Sequence, residues 1–251
     1  MKDFNEETKK KGIKHVMEIL PRFRRIIEKI ESIKGDIVEQ SKIDYKSQDA
    51  RMVALDSIQM EISQVGMWII AFNSLANKCM KSPVEIDETD FLKSVGSNLS
   101  IKDTEIYMMK TLRLCLITLV HFKIDNLFQN ILKKLDAKLG KIGYWNLCGV
   151  ILKEASLSEN GKEKEILTVL AYIRNSLHNN GIHRNNSLKL RLNDFAFDFI
   201  KDKKVKCASW DHIIIALDKN IDVLGNILLS KKIKGIKTEI KDDFASTIDR
   251  N

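Results

Sequence analysis

Arg174, Asn175, His178 and His183 fall within ten residues in the stretch YIRNSLHNNGIH (172–183). Arg174 supplies a planar fork of donors that matches phosphate oxygens. His178 supplies an imidazole, the side chain whose ordinary pKa lies nearest neutrality and which can take or give a proton. Asn175 offers an amide that can orient either of them. At 100° per residue, Arg174 and His178 lie within about 40° of each other on a helix. They occupy one flank of an apolar stripe made by Ile166, Leu170, Ile173 and Leu177. An arginine and an imidazole so placed suit proton transfer and charge stabilisation at a phosphodiester. The same residues also fit a plain helix end. Basic side chains meet the negative end of the helix dipole, and Asn180-Gly181 is a left-handed stop.

The elements that must position these residues are legible from apolar spacing. The pattern predicts a mostly α protein: a helical bundle with a long N-terminal helical hairpin and one small antiparallel β-hairpin near residues 187–206. Ile13, Val16, Leu20, Phe23, Ile27 and Ile30 form one stripe at three-four spacing, with Pro21 expected to kink it or mark the start of regular helix. Leu55, Ile58, Ile62, Val65, Ile69, Phe72, Ala76 and Cys79 form a second. The polar linker 41–49 between them implies an antiparallel pair. A soft boundary at Ser82-Pro83 then separates a coiled-coil-like hairpin, 1–82, from a second unit, 83–251. In that unit Asp103 is expected to cap a long helix ending near Gly140, whose middle, Leu112 to Val120, is apolar almost all round, as in a helix surrounded by others. A shorter helix covers Tyr144 to Ala155, and the motif helix begins near Gly161.

After the motif the period changes to two. A turn at Asn193-Asp194 pairs Leu192 with Phe195, Leu190 with Phe197 and Leu188 with Phe199, which places all six on one face. A further turn at Asp202-Lys203-Lys204 leads to an expected third strand, Val205 to Cys207. Ser209 is the expected cap of a last helix with the stripe Ile214, Leu217, Ile221, Leu224 and Leu228. The tail after it is basic, then mixed, and expected to be loose at its end.

The 251 residues are 44% hydrophobic, enough for a real core, and only two prolines interrupt them. A formal net charge of +8 points to an anionic partner, nucleic acid first, although with 30% charged residues much of it suits a solvated helix surface. No signal peptide and no run long enough to span a bilayer is present, so a cytoplasmic protein is expected. Cys79, Cys115, Cys148 and Cys207 form no CxxC pair and suit reduced core thiols. No metal motif and no glycine-rich phosphate loop appears, so neither metal nor cofactor is expected.

The stretch RNSLHNNG at the end of an apolar helix resembles the signature of the HEPN superfamily (higher eukaryotes and prokaryotes nucleotide-binding). The likeness covers Arg174, Asn175 and His178 and extends in outline over residues 101–230, a HEPN-like bundle carrying the β-hairpin. The family usually places more residues between arginine and histidine than the three found here. A weaker likeness is IDNLFQNIL (124–132), where Asp125 fills the place of a polar residue facing the motif. The resemblance implies a metal-independent endoribonuclease of a toxin or phage-defence system, with a homodimer bringing two copies of the site together and a cognate antitoxin or regulatory protein as partner. The catalytic candidates are Arg174, His178, Asn175 and Asp125. Asn179 and His183 are candidate substrate contacts, with a solvent-exposed loop histidine the plainer reading of His183. Two alternatives stand beside this: a non-catalytic HEPN-type module that binds nucleic acid or nucleotide, and a helical scaffold in which Arg174 pairs structurally with Asp125.

Overall fold

The computed structural model describes residues 2–41, 48–81, 101–135 and 142–242. They form α1 (Lys2–Ser41), α2 (Ala50–Lys81), α3 (Ile101–Lys134), α4 (Tyr144–Glu154), α5 (Lys162–His178), β1 (Leu188–Leu192), β2 (Phe195–Phe199), α6 (Trp210–Leu228) and the single turn α7 (Lys231–Lys234). The protein is mostly α with one antiparallel hairpin, as the apolar periods predict.

α1 and α2 lie antiparallel: Lys34 reaches Asp56, while Leu20 and Phe23 pack beside Gly66. On α2 the expected stripe Leu55, Ile58, Ile62, Val65 and Ile69 is buried. On α1 the buried line is Ile19, Phe23, Ile26, Ile30, Ile33 and Ile37, so Leu20 and Ile27 sit at its margin. The sequence offers two overlapping stripes there, and α6 selects between them by packing on the isoleucine side. Gly225 of α6 lets Ile33 approach: a Cβ on Gly225 would stand 2.9 Å from its Cδ1. Ion pairs from Arg22 to Asp211 and from Lys29 to Asp218 and Asp222 run along the same contact. Helix α1 runs through Pro21 from Lys2, so regular helix does not begin at the proline.

One hydrophobic cluster runs from Ile19 to Ile240, drawing side chains from both sides of residue 82. α2 packs along α3, α3 along α5, and α5 lies between α4 and α6. Asn220, fully buried on α6, donates its amide to the Ile166 carbonyl of α5 at 2.7 Å and so holds the motif helix in place. The last stripe, Ile214 to Leu228, is buried behind the Ser209 cap, whose hydroxyl accepts from the His212 amide. The β register is the expected one, Leu188 with Phe199 through Leu192 with Phe195, and Asn193 takes the left-handed turn conformation (φ 50°).

Several expectations are corrected. Asp103 lies inside the first turn of α3 rather than ahead of the helix. α3 is not surrounded: Leu116, Ile117 and Val120 are buried, but Cys115, Leu119 and Phe122 form an exposed line, so Cys115 is no core thiol. No third strand forms at Val205 to Cys207. Instead the chain after Asp202 turns back on the segment leaving α5, with His183 N–H bonded to Lys203 O and Val205 N–H to Gly181 O. Those backbone groups are already satisfied, which removes the ladder a third strand needs. The first part of the tail is tied down as far as Lys241, and its end, where looseness is expected, lies outside the described residues. The boundary at Ser82-Pro83, most of the linker 41–49, the stretch toward Gly140 and the last nine residues lie outside the described residues, as do the side chains of Ile13, Val16, Ala76 and Cys79.

What ties the tail down is a buried ion pair. Asp49 and Arg51, both 0% exposed, join bidentately at 2.8 and 2.9 Å just ahead of and within the first turn of α2. The Asp49 carboxylate also accepts the Arg51 and Ile240 amides, and the guanidinium donates onward to the Ile233 and Ile236 carbonyls. Removing one partner leaves a buried charge unmatched. Arg51→Met should therefore cost about 3–5 kcal/mol in urea unfolding. The double variant Asp49→Asn, Arg51→Met should lose less than the sum of the two singles, since the two groups are directly coupled. Strict additivity would show that the pair does not act as a unit.

Candidate functional site

The motif helix ends where expected. Asn180 and Gly181 adopt positive φ (54° and 82°), and the Gly181 amide bonds back to the Ser176 carbonyl. This stop places Arg174, Asn175 and His178 on the last turn and a half of α5, which α3 and α4 flank.

Arg174 is half-buried. Its Nε and Nη2 donate to the Asn175 Oδ1 at 3.1 and 2.8 Å, and its guanidinium carbon sits 5.4 Å from the centroid of the Phe122 ring. Phe122 is 53% exposed, so the cation lies over an aromatic face at the surface. The charge is held by a neutral amide and a ring rather than by a carboxylate. Asp125, also half-buried, is bonded to Gln129 at 3.1 Å and forms no ion pair with Arg174. It acts at longer range: burial lowers the guanidinium pKa, while the charges of Asp125 and Tyr144 oppose that shift. Nη1 of Arg174 has no hydrogen-bond partner among the described residues.

His178 is exposed, one turn beyond Arg174. Among the described residues its ring makes no hydrogen bond, ion pair or ring contact. Asn179 is the exposed C-cap of the helix, its backbone amide bonded to Asn175 O and Ser176 O. The structure therefore brings Arg174 and Asn175 into contact, sets Asp125 near them, and leaves His178 and Asn179 open to solvent.

His183 is not the exposed loop histidine that the sequence suggested. It is 0% exposed, with its ring against Tyr172 and Phe199. Nε2 faces the Asn186 carbonyl at 2.9 Å, so that nitrogen carries a proton and donates. Nδ1 faces the Ser176 hydroxyl at 3.2 Å, which also lies 2.7 Å from the Tyr172 carbonyl. In the neutral tautomer the single hydroxyl proton must choose between those two acceptors. Neither ring nitrogen is left for a substrate.

Comparison with protein-family models, characterised proteins and solved structures finds no match.

A groove of about 750 Å³ opens beside Asn175, between the start of α4, one face of α5 and the loop after His183. Tyr144, Trp145, Arg184, Asn185 and Asn186 line it, and sequence reasoning singled out none of them for the site. The run Arg184-Asn185-Asn186 directly after the motif was a signal, but apolar periodicity says nothing about where a polar loop folds back. Among the described residues, no three His, Cys, Asp or Glu side chains gather as a metal would require, and no helix is long and apolar enough to cross a membrane.

Behind Arg174, His121 is 4% exposed, packed edge-on against Tyr144 with ring centroids 4.3 Å apart, and its Nδ1 is buried without a hydrogen-bond partner. Burial, reinforced by the Arg174 charge, pushes its pKa down from 6.5 to about 4. Burial likewise drives the Tyr144 hydroxyl well above its ordinary range and the Cys148 thiol up to about 12. Because the unfolded chain binds the His121 proton first, the neutral ring's contribution is complete above pH 6.5 and is lost as pH falls toward 4. The loss is on the order of 3 kcal/mol. Chemical denaturation across that window should show stability declining with acid, and His121→Leu should flatten the decline. An unchanged slope in the variant would assign the acid sensitivity to other groups.

Proposed function

We propose that this chain is a HEPN-like RNA-binding protein in which Arg174 holds a phosphate and His178 moves a proton in metal-independent cleavage. The observation that carries the reading is the un-neutralised Arg174. A half-buried guanidinium fixed by an amide, with Nη1 making no hydrogen bond to the described residues, presents positive charge to an incoming anion. An arginine serving only structure would be expected to close on Asp125, and Asp125 is bonded to Gln129 instead. The net charge of +8 favours the same partner at long range.

The chemistry follows from these groups. An imidazole at His178 takes the proton of a ribose 2′-hydroxyl as its oxygen attacks phosphorus. The 5′-oxygen leaves with a proton from a second acid, and a 2′,3′-cyclic phosphate remains. Arg174 stabilises the charge that builds on the non-bridging oxygens. One imidazole cannot be base and acid in the same step, so a homodimer that pairs two sites completes the reaction. The exposed line Cys115, Leu119 and Phe122, which runs up to Arg174, is the surface such a dimer would cover. A toxin or phage-defence setting with a cognate inhibitor accords with this reading.

A second reading, a binding module without cleavage, is favoured by one observation: no described side chain orients the His178 ring. The two part on His178. With chelator present, His178→Ala should lower cleavage of a mixed RNA pool by about 10²–10⁴-fold while leaving binding intact. If wild type and variant cleave equally, the catalytic assignment ends and the binding module remains. Asn175→Asp tests the shared premise, because it keeps an acceptor for Arg174 while neutralising its charge. RNA affinity at low salt should fall and melting should hold or rise. Undiminished affinity would remove Arg174 from the phosphate site.

A further inference from the structure

The groove beside Asn175 has a lining that a phosphate site does not need. Trp145 and Tyr172 bring aromatic surface to it, and Asn175, Asn185 and Asn186 bring carboxamides. Among the described residues no carboxylate lines it. The Asn185 and Asn186 side chains make no hydrogen bond to described residues, and Asn175 uses only its oxygen, on Arg174. A carboxamide presents a donor and an acceptor side by side, the pattern of a nucleobase edge, whereas phosphate presents acceptors alone. Trp145 remains 41% exposed, with the Lys164 ammonium 4.6 Å from its ring centroid.

The loop that carries the amides is anchored. His183 donates to the Asn186 carbonyl, the Ser187 hydroxyl accepts the Lys201 amide at 3.0 Å, and Arg184 pairs with Asp202 at 2.9 Å. The ring of the buried histidine thereby positions the backbone from which Asn185 and Asn186 project. A loop held in this way keeps its amides in place before a ligand arrives, which lowers the entropy lost on binding.

Asn175 belongs both to the groove and to the Arg174 clamp. We infer that the groove seats an unstacked base of single-stranded RNA, adjacent to the phosphate at Arg174, with the aromatic side chains taking its face and the asparagines its edge. Bases in a duplex have neither face nor pairing edge free, so the ligand is a single strand, loop or end. The inference rests on the reading of Arg174 as a phosphate contact and adds to it the part of the substrate that the protein reads.

The test compares binding of short labelled oligouridine and oligoadenosine with binding of a duplex RNA, by fluorescence anisotropy over a range of salt. The proteins are wild type, Trp145→Ala, the double variant Asn185→Ala, Asn186→Ala, and Arg174→Ala. Wild type should prefer single strands. Trp145→Ala and the double variant should each weaken single-strand binding by about 5- to 100-fold. Their salt dependence should stay that of wild type, because base contacts release no counterions, whereas Arg174→Ala should make it shallower. Melting curves check that each variant is folded, and the double variant keeps the test informative should Trp145→Ala loosen α4. Wild-type affinity in both groove variants, with Arg174→Ala impaired, overturns the base site and leaves the phosphate reading standing. Equal weakening toward duplex and single strand also overturns it. Failure of wild type to bind any RNA overturns both.

Discussion

The buried pair of Asp49 and Arg51 sets the frame on which the other contacts are laid. Two charges taken out of water cost several kcal/mol each unless their hydrogen-bonding capacity is met. Here the carboxylate accepts both from the guanidinium and from backbone amides, and the guanidinium spends its remaining donors on carbonyls of the chain's far end. The pair is only two residues apart in sequence, yet most of its other partners come from residues 233–240. That arrangement fastens α7 and the segment after it to the start of α2, and it closes the described core between Ile19 and Ile240.

From this frame the site follows by contact. α1 fixes α6 through the isoleucine line and the ion pairs of Arg22 and Lys29. α6 fixes α5 through Asn220. α5 then carries Arg174 to a position over Phe122 of α3, where the positive charge is partly desolvated but meets no carboxylate directly. Desolvation strengthens the electrostatic interactions of the guanidinium, and the Asn175 clamp limits its side-chain freedom. The His121 ring behind it is kept neutral by the same burial and the same charge.

The two histidines of the motif have exchanged the roles their sequence surroundings suggest. His178, on an apolar helix, is exposed; His183, in a polar run beyond a glycine stop, is sealed. The reason lies in the chain reversal after Asp202, which brings Lys203 and Val205 back to bond with His183 and Gly181. Phe199 and Tyr172 then close over the imidazole, and the Ser176 hydroxyl and the Asn186 carbonyl face its two nitrogens.

Sequence by itself determined the local elements: the helices, the left-handed stop at Asn180-Gly181, the Ser209 cap and the hairpin register. Each of these depends on neighbours a few residues apart, where apolar spacing and turn chemistry act directly. The placement of Arg174, Asn175 and His178 on the last turn and a half of α5 was legible for the same reason, since helical geometry alone sets it. Tertiary structure decided everything that depends on which faces meet. It chose the Ile19–Ile26–Ile33 side of α1 over Leu20 and Ile27, left Cys115 and Leu119 open in a helix middle that reads as apolar almost all round, and turned Val205 to Cys207 away from the hairpin. It also kept Asp125 out of ion-pair contact with Arg174 and folded Asn185 and Asn186 against the groove. Burial of a side chain and partnering of a charge are properties of pairs of surfaces distant in the chain, and no local period encodes them.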